Sequence, residues 1–119
     1  MTNKVMIIDD NETNVKLLDL VLTKAGFKTD TIINPTFAFD IIKETKPVLI
    51  LLDVNMPEVN GFQLCKMLKK DSETKTIPVI FVSSLKDVKY IAGGLAIGGS
   101  DYITKPIKAE EVVARVSVQ

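Results

Sequence analysis

Two short, almost unbroken apolar runs, residues 48–52 (VLILL) and 79–82 (VIFV), do most to restrict how this chain can fold. A strand without polar alternation has no face to turn to water, so it belongs in a sheet covered on both sides. Residues 4–8 (KVMII), 27–32 (FKTDTI) and 102–103 read as further strands, and the alternation in 27–32 places that one toward an edge. Segments of helical period separate them. Val15, Leu18 and Leu22 share one face of a helix that stops near Gly26, and Pro35 opens a second helix with Phe39 and Ile42 inward. Asn60-Gly61 precedes a third with Leu64 and Leu68 on one side, while Val112, Val113 and Val116 mark a fifth that begins near Ala109. Val88, Ile91 and Leu95 predict the fourth. Gly93-Gly94 lies inside it, and each glycine costs about 1 kcal/mol relative to alanine, so this helix should be marginal. Strands alternating with helices require right-handed crossovers and therefore a parallel sheet between two helical layers. The expectation is a doubly wound α/β domain spanning 1–119, with five parallel strands in the order 2-1-3-4-5.

Composition removes several classes of function. Fifteen basic and fifteen acidic residues give a net charge of zero, without the positive footprint of a nucleic-acid or anionic-membrane binder. No apolar run approaches the roughly 18–20 residues of a membrane helix, and the acidic pair Asp9-Asp10 interrupts the N-terminal apolar stretch too early for a signal peptide. The single cysteine, Cys65, cannot form an internal disulfide; it reads as a packed helix residue in a reducing, cytoplasmic compartment. The chain has no histidine, which excludes histidine-ligated metals, histidine-based triads and a phosphohistidine of its own.

In a doubly wound sheet, ligands bind at the carboxyl ends of the strands beside the point where strand order reverses. The first strand runs into Asp9-Asp10, the third into Asp53, the fourth into Ser83 and the fifth into Lys105. Any one of these could be a polar residue reaching water at a strand end; as a set they converge on one edge. Two unit charges about 4 Å apart repel by roughly 4 kcal/mol at an effective dielectric of about 20, so three carboxylates need cationic relief. Lys105 supplies one charge. An all-oxygen donor set with few protein ligands favours Mg²⁺ for the rest. A carboxylate beside such an ion and a lysine is equipped for phosphoryl transfer. The acidic run Asp9-Asp10-Asn11-Glu12 has no glycine-rich phosphate loop and argues against a nucleotide site. Aspartate-nucleophile phosphatases of the haloacid dehalogenase type carry a general acid two residues after the nucleophile, where Asn55 stands here. Asparagine cannot protonate a leaving group, so an acyl phosphate on Asp53 should turn over slowly, which suits a switch better than an enzyme.

At these residues the chain resembles the response-regulator receiver domains of two-component signalling, a flavodoxin-like (βα)5 family. The matching segments are VMIIDDNETNVKLL, VLILLDVNMPEVNGFQLCKML, IPVIFVSS and GGSDYITKPI. The resemblance implies that Asp53 is the phosphoacceptor and that Asp10, Asp53 and the main-chain carbonyl of Asn55 ligate Mg²⁺, with Asp9 acting through water. It implies that Lys105 pairs with Asp53 and then with the phosphoryl group, aimed by a cis bond to Pro106. Ser83 would be the switch hydroxyl, in place of the commoner threonine, and Tyr102 the aromatic that turns inward when Ser83 moves. The phosphodonor would be a histidine kinase or a histidine phosphotransfer protein. The response would reach the face of helix four, strand five and helix five, which would dimerise or engage an output domain. The two ends of the chain look similar to receivers in hybrid sensor kinases and diguanylate-cyclase regulators, which makes a piece of a longer protein the expectation and a stand-alone regulator the alternative. A Mg²⁺-dependent phosphatase and a docking module that keeps only the fold are the competing readings.

Overall fold

The computed structural model describes residues 3–119, so the first two residues of the expected 1–119 span lie outside the described residues. Among these, five strands, β1 (Val5–Ile8), β2 (Thr29–Ile32), β3 (Leu49–Asp53), β4 (Val79–Ser83) and β5 (Asp101–Thr104), alternate with five helices. The helices are α1 (Glu12–Lys24), α2 (Ala38–Thr45), α3 (Gly61–Lys70), α4 (Val88–Ala96) and α5 (Ala109–Val118). All four strand pairs are parallel and the order is β2-β1-β3-β4-β5, as the sequence predicts.

Each central strand divides its side chains between two cores. Met6, Ile8, Ile50 and Leu52 face Ile42, Leu64 and Leu68 of α2 and α3. Val5, Ile7, Leu49 and Leu51 face Val15, Leu18 and Leu22 of α1 and Val112 and Val116 of α5. Burial on both faces is the reason β3 and β4 carry no polar alternation. The edge strand β2 is exposed at Asp30 and Thr31. Its first residue is Thr29 rather than Phe27, and β3 starts at Leu49 rather than at Val48, which is 48% exposed.

Local chemistry sets the helix ends. The Asn11 side chain accepts the Asn14 N–H to cap α1, and Gly26, at φ +95°, takes the left-handed position just beyond it. Pro35 opens a 3₁₀ turn, Pro35–Phe37, before α2, which buries Ala38 and Ile42 and leaves Phe39 half-buried.

Helix α4 departs most from expectation. Val88 is 76% exposed and Leu95 44%, so they do not form its inner face; the buried residue is Gly94. A side chain there would meet the rings of Phe62 and Phe81 at 3.0–3.1 Å, so those rings occupy the space a Cβ would need. The expected marginal stability has structural grounds: α4 has no side-chain N-cap, whereas α1 and α3 are capped by Asn11 and Asn60 and each bury at least three residues. Hydrogen exchange of the α4 amides is expected to be faster than in α1 and α3. Equal protection in the three helices would contradict this.

Candidate functional site

Strand register determines which side chains meet. Ile8 pairs with Leu52, so Asp9 follows at the level of Asp53; Asp53 pairs with Val82, and Ser83 with Thr104. The Lys105 amide then donates to the Ser83 carbonyl at 2.8 Å, which fixes where the lysine leaves β5. The Lys105–Pro106 bond is cis.

Asp9, Asp10 and Asp53 each offer a carboxylate oxygen, and these lie within 4.8 Å of one another. Asp9 and Asp53 are buried, and Asp10 is half-buried. The Lys105 ammonium lies 3.1 Å from Asp9 Oδ2 and 3.4 Å from Asp53 Oδ1. Both Asp9 oxygens are engaged, since Oδ1 accepts the Asn11 N–H at 3.0 Å. Asp53 is engaged on one side: Oδ1 accepts from Val54 N–H at 2.9 Å and from Lys105, while Oδ2 has no hydrogen-bond partner among the described residues. Burial, with the negative charge of Asp9 behind it, pushes the Asp53 carboxyl up to about 6, and Lys105 offsets only part of this. Three oxygen donors in a surplus of negative charge fit a hard divalent cation, and they are the cluster that could hold Mg²⁺. Asn55 is exposed and forms an isolated bridge with Asn60, at the start of the turn into α3.

Ser83 and Tyr102 meet on the backbone of one residue, Leu85. Ser83 is fully buried, and its Oγ accepts the Leu85 N–H at 3.1 Å. The Tyr102 hydroxyl donates to the Leu85 carbonyl at 2.8 Å. Tyr102 is 6% exposed, and its ring centroid lies 6.1 Å from that of Phe81, so the aromatic already lies inward. Sequence reasoning missed Leu85, Asn11 and Val54, because all three act through the main chain and a backbone donor has no residue signature. The sequence marks Asn60-Gly61 only as the lead-in to the third helix. In the structure Gly61 donates to Val54 O at 2.8 Å and packs against the backbone of Asp53.

The family model described as the response regulator receiver domain matches residues 5–117. Protein RcaC of Microchaete diplosiphon is 39% identical over 114 residues, which is 96% of this chain and 18% of RcaC. The DNA-binding response regulator MtrA of Mycolicibacterium paratuberculosis is 35% identical over 116 residues, 98% of this chain and 50% of MtrA. The chain thus spans half or less of the length of these curated relatives. The signal receiver domain of a signal transduction histidine kinase from Syntrophus aciditrophicus superposes with a TM-score of 0.87 at 33% identity, covering 98% of this chain and 89% of that one. With the fold, the strand order and this match over nearly its whole length, the chain belongs to the response regulator receiver domain family.

Proposed function

We propose that the chain is the phosphoacceptor switch of a two-component relay, with Asp53 as the residue that takes the phosphoryl group. The observation that carries this reading is the asymmetry of Asp53: Oδ1 is held by Val54 and Lys105, and Oδ2 is left without a partner among the described residues. Because these 119 residues contain no histidine, the phosphohistidine lies outside them, on a histidine kinase or a histidine phosphotransfer protein. Oδ2 attacks phosphorus in line; the new P–O bond forms as the P–N bond to the donor imidazole breaks, and the imidazole leaves with the electron pair. Asp10, Asp53 and the Asn55 carbonyl would hold Mg²⁺, with Asp9 acting through water, and the ion would supply charge neutralisation for the phosphoryl oxygens. Lys105 follows the transferred charge from Asp53 to the phosphoryl group. With Asn55 in place of a general acid, hydrolysis of the acyl phosphate is slow, as a switch requires.

Ser83 and Tyr102 give the product a mechanical consequence. If the Ser83 hydroxyl turns to donate to a phosphoryl oxygen, it gives up the Leu85 N–H it now accepts. The loop then moves with the Leu85 carbonyl that anchors Tyr102. The affected surface is α4, β5 and α5, where Val88, Leu95 and Val118 are exposed apolar side chains for an output domain or a second copy. The longer relatives support a receiver that works within a multidomain protein. Among the described residues no helix is long and apolar enough to cross a membrane. MtrA is named as DNA-binding, and DNA contact in such an assembly is assigned here to another domain because this chain carries no net charge.

Intact-mass spectrometry after incubation with acetyl phosphate tests the assignment. Wild type is expected to gain one phosphoryl group in Mg²⁺ and none in excess chelator, and Asp53→Asn none in either. Modification of Asp53→Asn at the wild-type rate would overturn it.

A further inference from the structure

Helix α1 is apolar on two faces. Val15, Leu18 and Leu22 are buried against the sheet, yet Leu17 and Leu20 are 45% and 53% exposed on the outside. The outer face of a helix in a lone domain is ordinarily polar, so an outward leucine stripe is surface left for a partner. Leu20 and Val21 border a groove of about 630 Å³ between α1 and α5, bounded across from them by Val113. Ala25, Ala109 and Ala114 complete its lining, and residues this small allow another helix to approach closely. Two charges stand on opposite walls, Lys24 on α1 and Glu110 on α5. Neither forms a salt bridge among the described residues.

We propose that this groove is the docking site for a second copy of the chain, related to the first by a two-fold axis. The surface is complementary to itself. It carries both an exposed leucine and the hollow that would receive one, and both members of an ion pair that the single chain leaves unmade. A two-fold axis satisfies each twice: Leu20 enters the partner's groove, and Lys24 meets the partner's Glu110, reciprocally. The charges of the α5 flank differ, because Arg115 already binds Asp101 at 2.9 Å and Glu111 at 3.5 Å within its own chain. The α1–α5 contact needs no phosphoryl group, so it stands or falls separately from the switch described above.

Sedimentation velocity over a wide concentration range, without phosphodonor, tests the proposal. Wild type is expected to show a monomer–dimer equilibrium. Lys24→Glu and Glu110→Lys should each weaken the dimer by about tenfold or more, since each sets like charges against one another at two symmetric points. An equimolar mixture of these two variants should recover a heterodimer, because both contacts are then between opposite charges. Leu20→Glu, at an exposed position, should leave the circular dichroism unchanged and abolish the dimer. A wild-type chain that stays monomeric at every concentration would overturn the proposal, as would a dimer insensitive to all three substitutions or a mixture that fails to recover. A monomeric chain in which Leu20→Glu slows phosphorylation by a histidine-bearing protein, but not by acetyl phosphate, would assign the groove to the phosphodonor and overturn it equally.

Discussion

Gly61→Ala is expected to destabilise the domain by about 3 kcal/mol or more, near the top of the range for a single substitution. A Cβ at this position would lie 2.2 Å from the carbonyl oxygen of Asp53 and 2.9 Å from Cα of Val54. Both are backbone atoms, so no side chain can rotate away. Either α3 must lift from the sheet or the end of β3 must bend, and the first choice breaks the hydrogen bond from Gly61 N–H to Val54 O. The second displaces the carboxylate that β3 delivers to the site. Urea unfolding should therefore show a lower midpoint, and the rate of phosphoryl uptake from acetyl phosphate should fall with it. Gly93→Ala is the control. A Cβ there has nothing within 4 Å, and an exposed helical glycine replaced by alanine should gain about 0.5–1 kcal/mol. If Gly61→Ala proved as stable as wild type, the close approach of α3 to β3 would not be what holds the site.

The contrast between these glycines explains what the sequence made legible. Strands β3 and β4 could be read because burial on both faces leaves an unbroken apolar run, and register then carries Asp9, Asp53, Ser83 and Lys105 to one edge. Their convergence needs only the parallel order and the polar residue at each strand end. The inner face of α4 could not be read in the same way. Hydropathy pointed to Val88, Ile91 and Leu95; Ile91 does pack against the core, but Val88 and Leu95 are exposed. The fully buried contact is made by Gly94, which has no side chain to register on any scale, against rings supplied by α3 and β4. Tertiary packing overrode local pattern there. The link between Ser83 and Tyr102 was hidden for a related reason: it runs through the amide and carbonyl of Leu85, groups that every residue but proline carries.

In metal-free buffer near neutral pH, Asp53→Asn is expected to unfold at a higher temperature than wild type. The Asp53 carboxyl is pushed from 3.8 up to about 6, first by burial and then by Asp9, against the pull of Lys105. A raised folded-state value means that the native protein holds its proton more tightly than the unfolded chain does. Below about pH 4 both states are protonated and Asp53 costs nothing; between about pH 4 and 6 the unfolded chain ionises first, and stability falls as pH rises. Above the folded-state value the penalty is complete, on the order of 3 kcal/mol. The amide keeps the shape of the side chain and its acceptor for Val54 N–H while removing the charge, so the advantage of the variant should grow across that window and then level off. Millimolar Mg²⁺ should work in the opposite sense, because a ligand that binds only the folded carboxylate cluster stabilises it by mass action. Wild type should gain from the ion and Asp53→Asn should gain less, which narrows or reverses the gap between them. Thermal melts of both proteins from about pH 4 to 8, with Mg²⁺ and with chelator, measure each part. A wild type more stable than the variant at neutral pH in chelator would mean that the attraction of Lys105 outweighs burial and that Asp53 enters the reaction already ionised and paired.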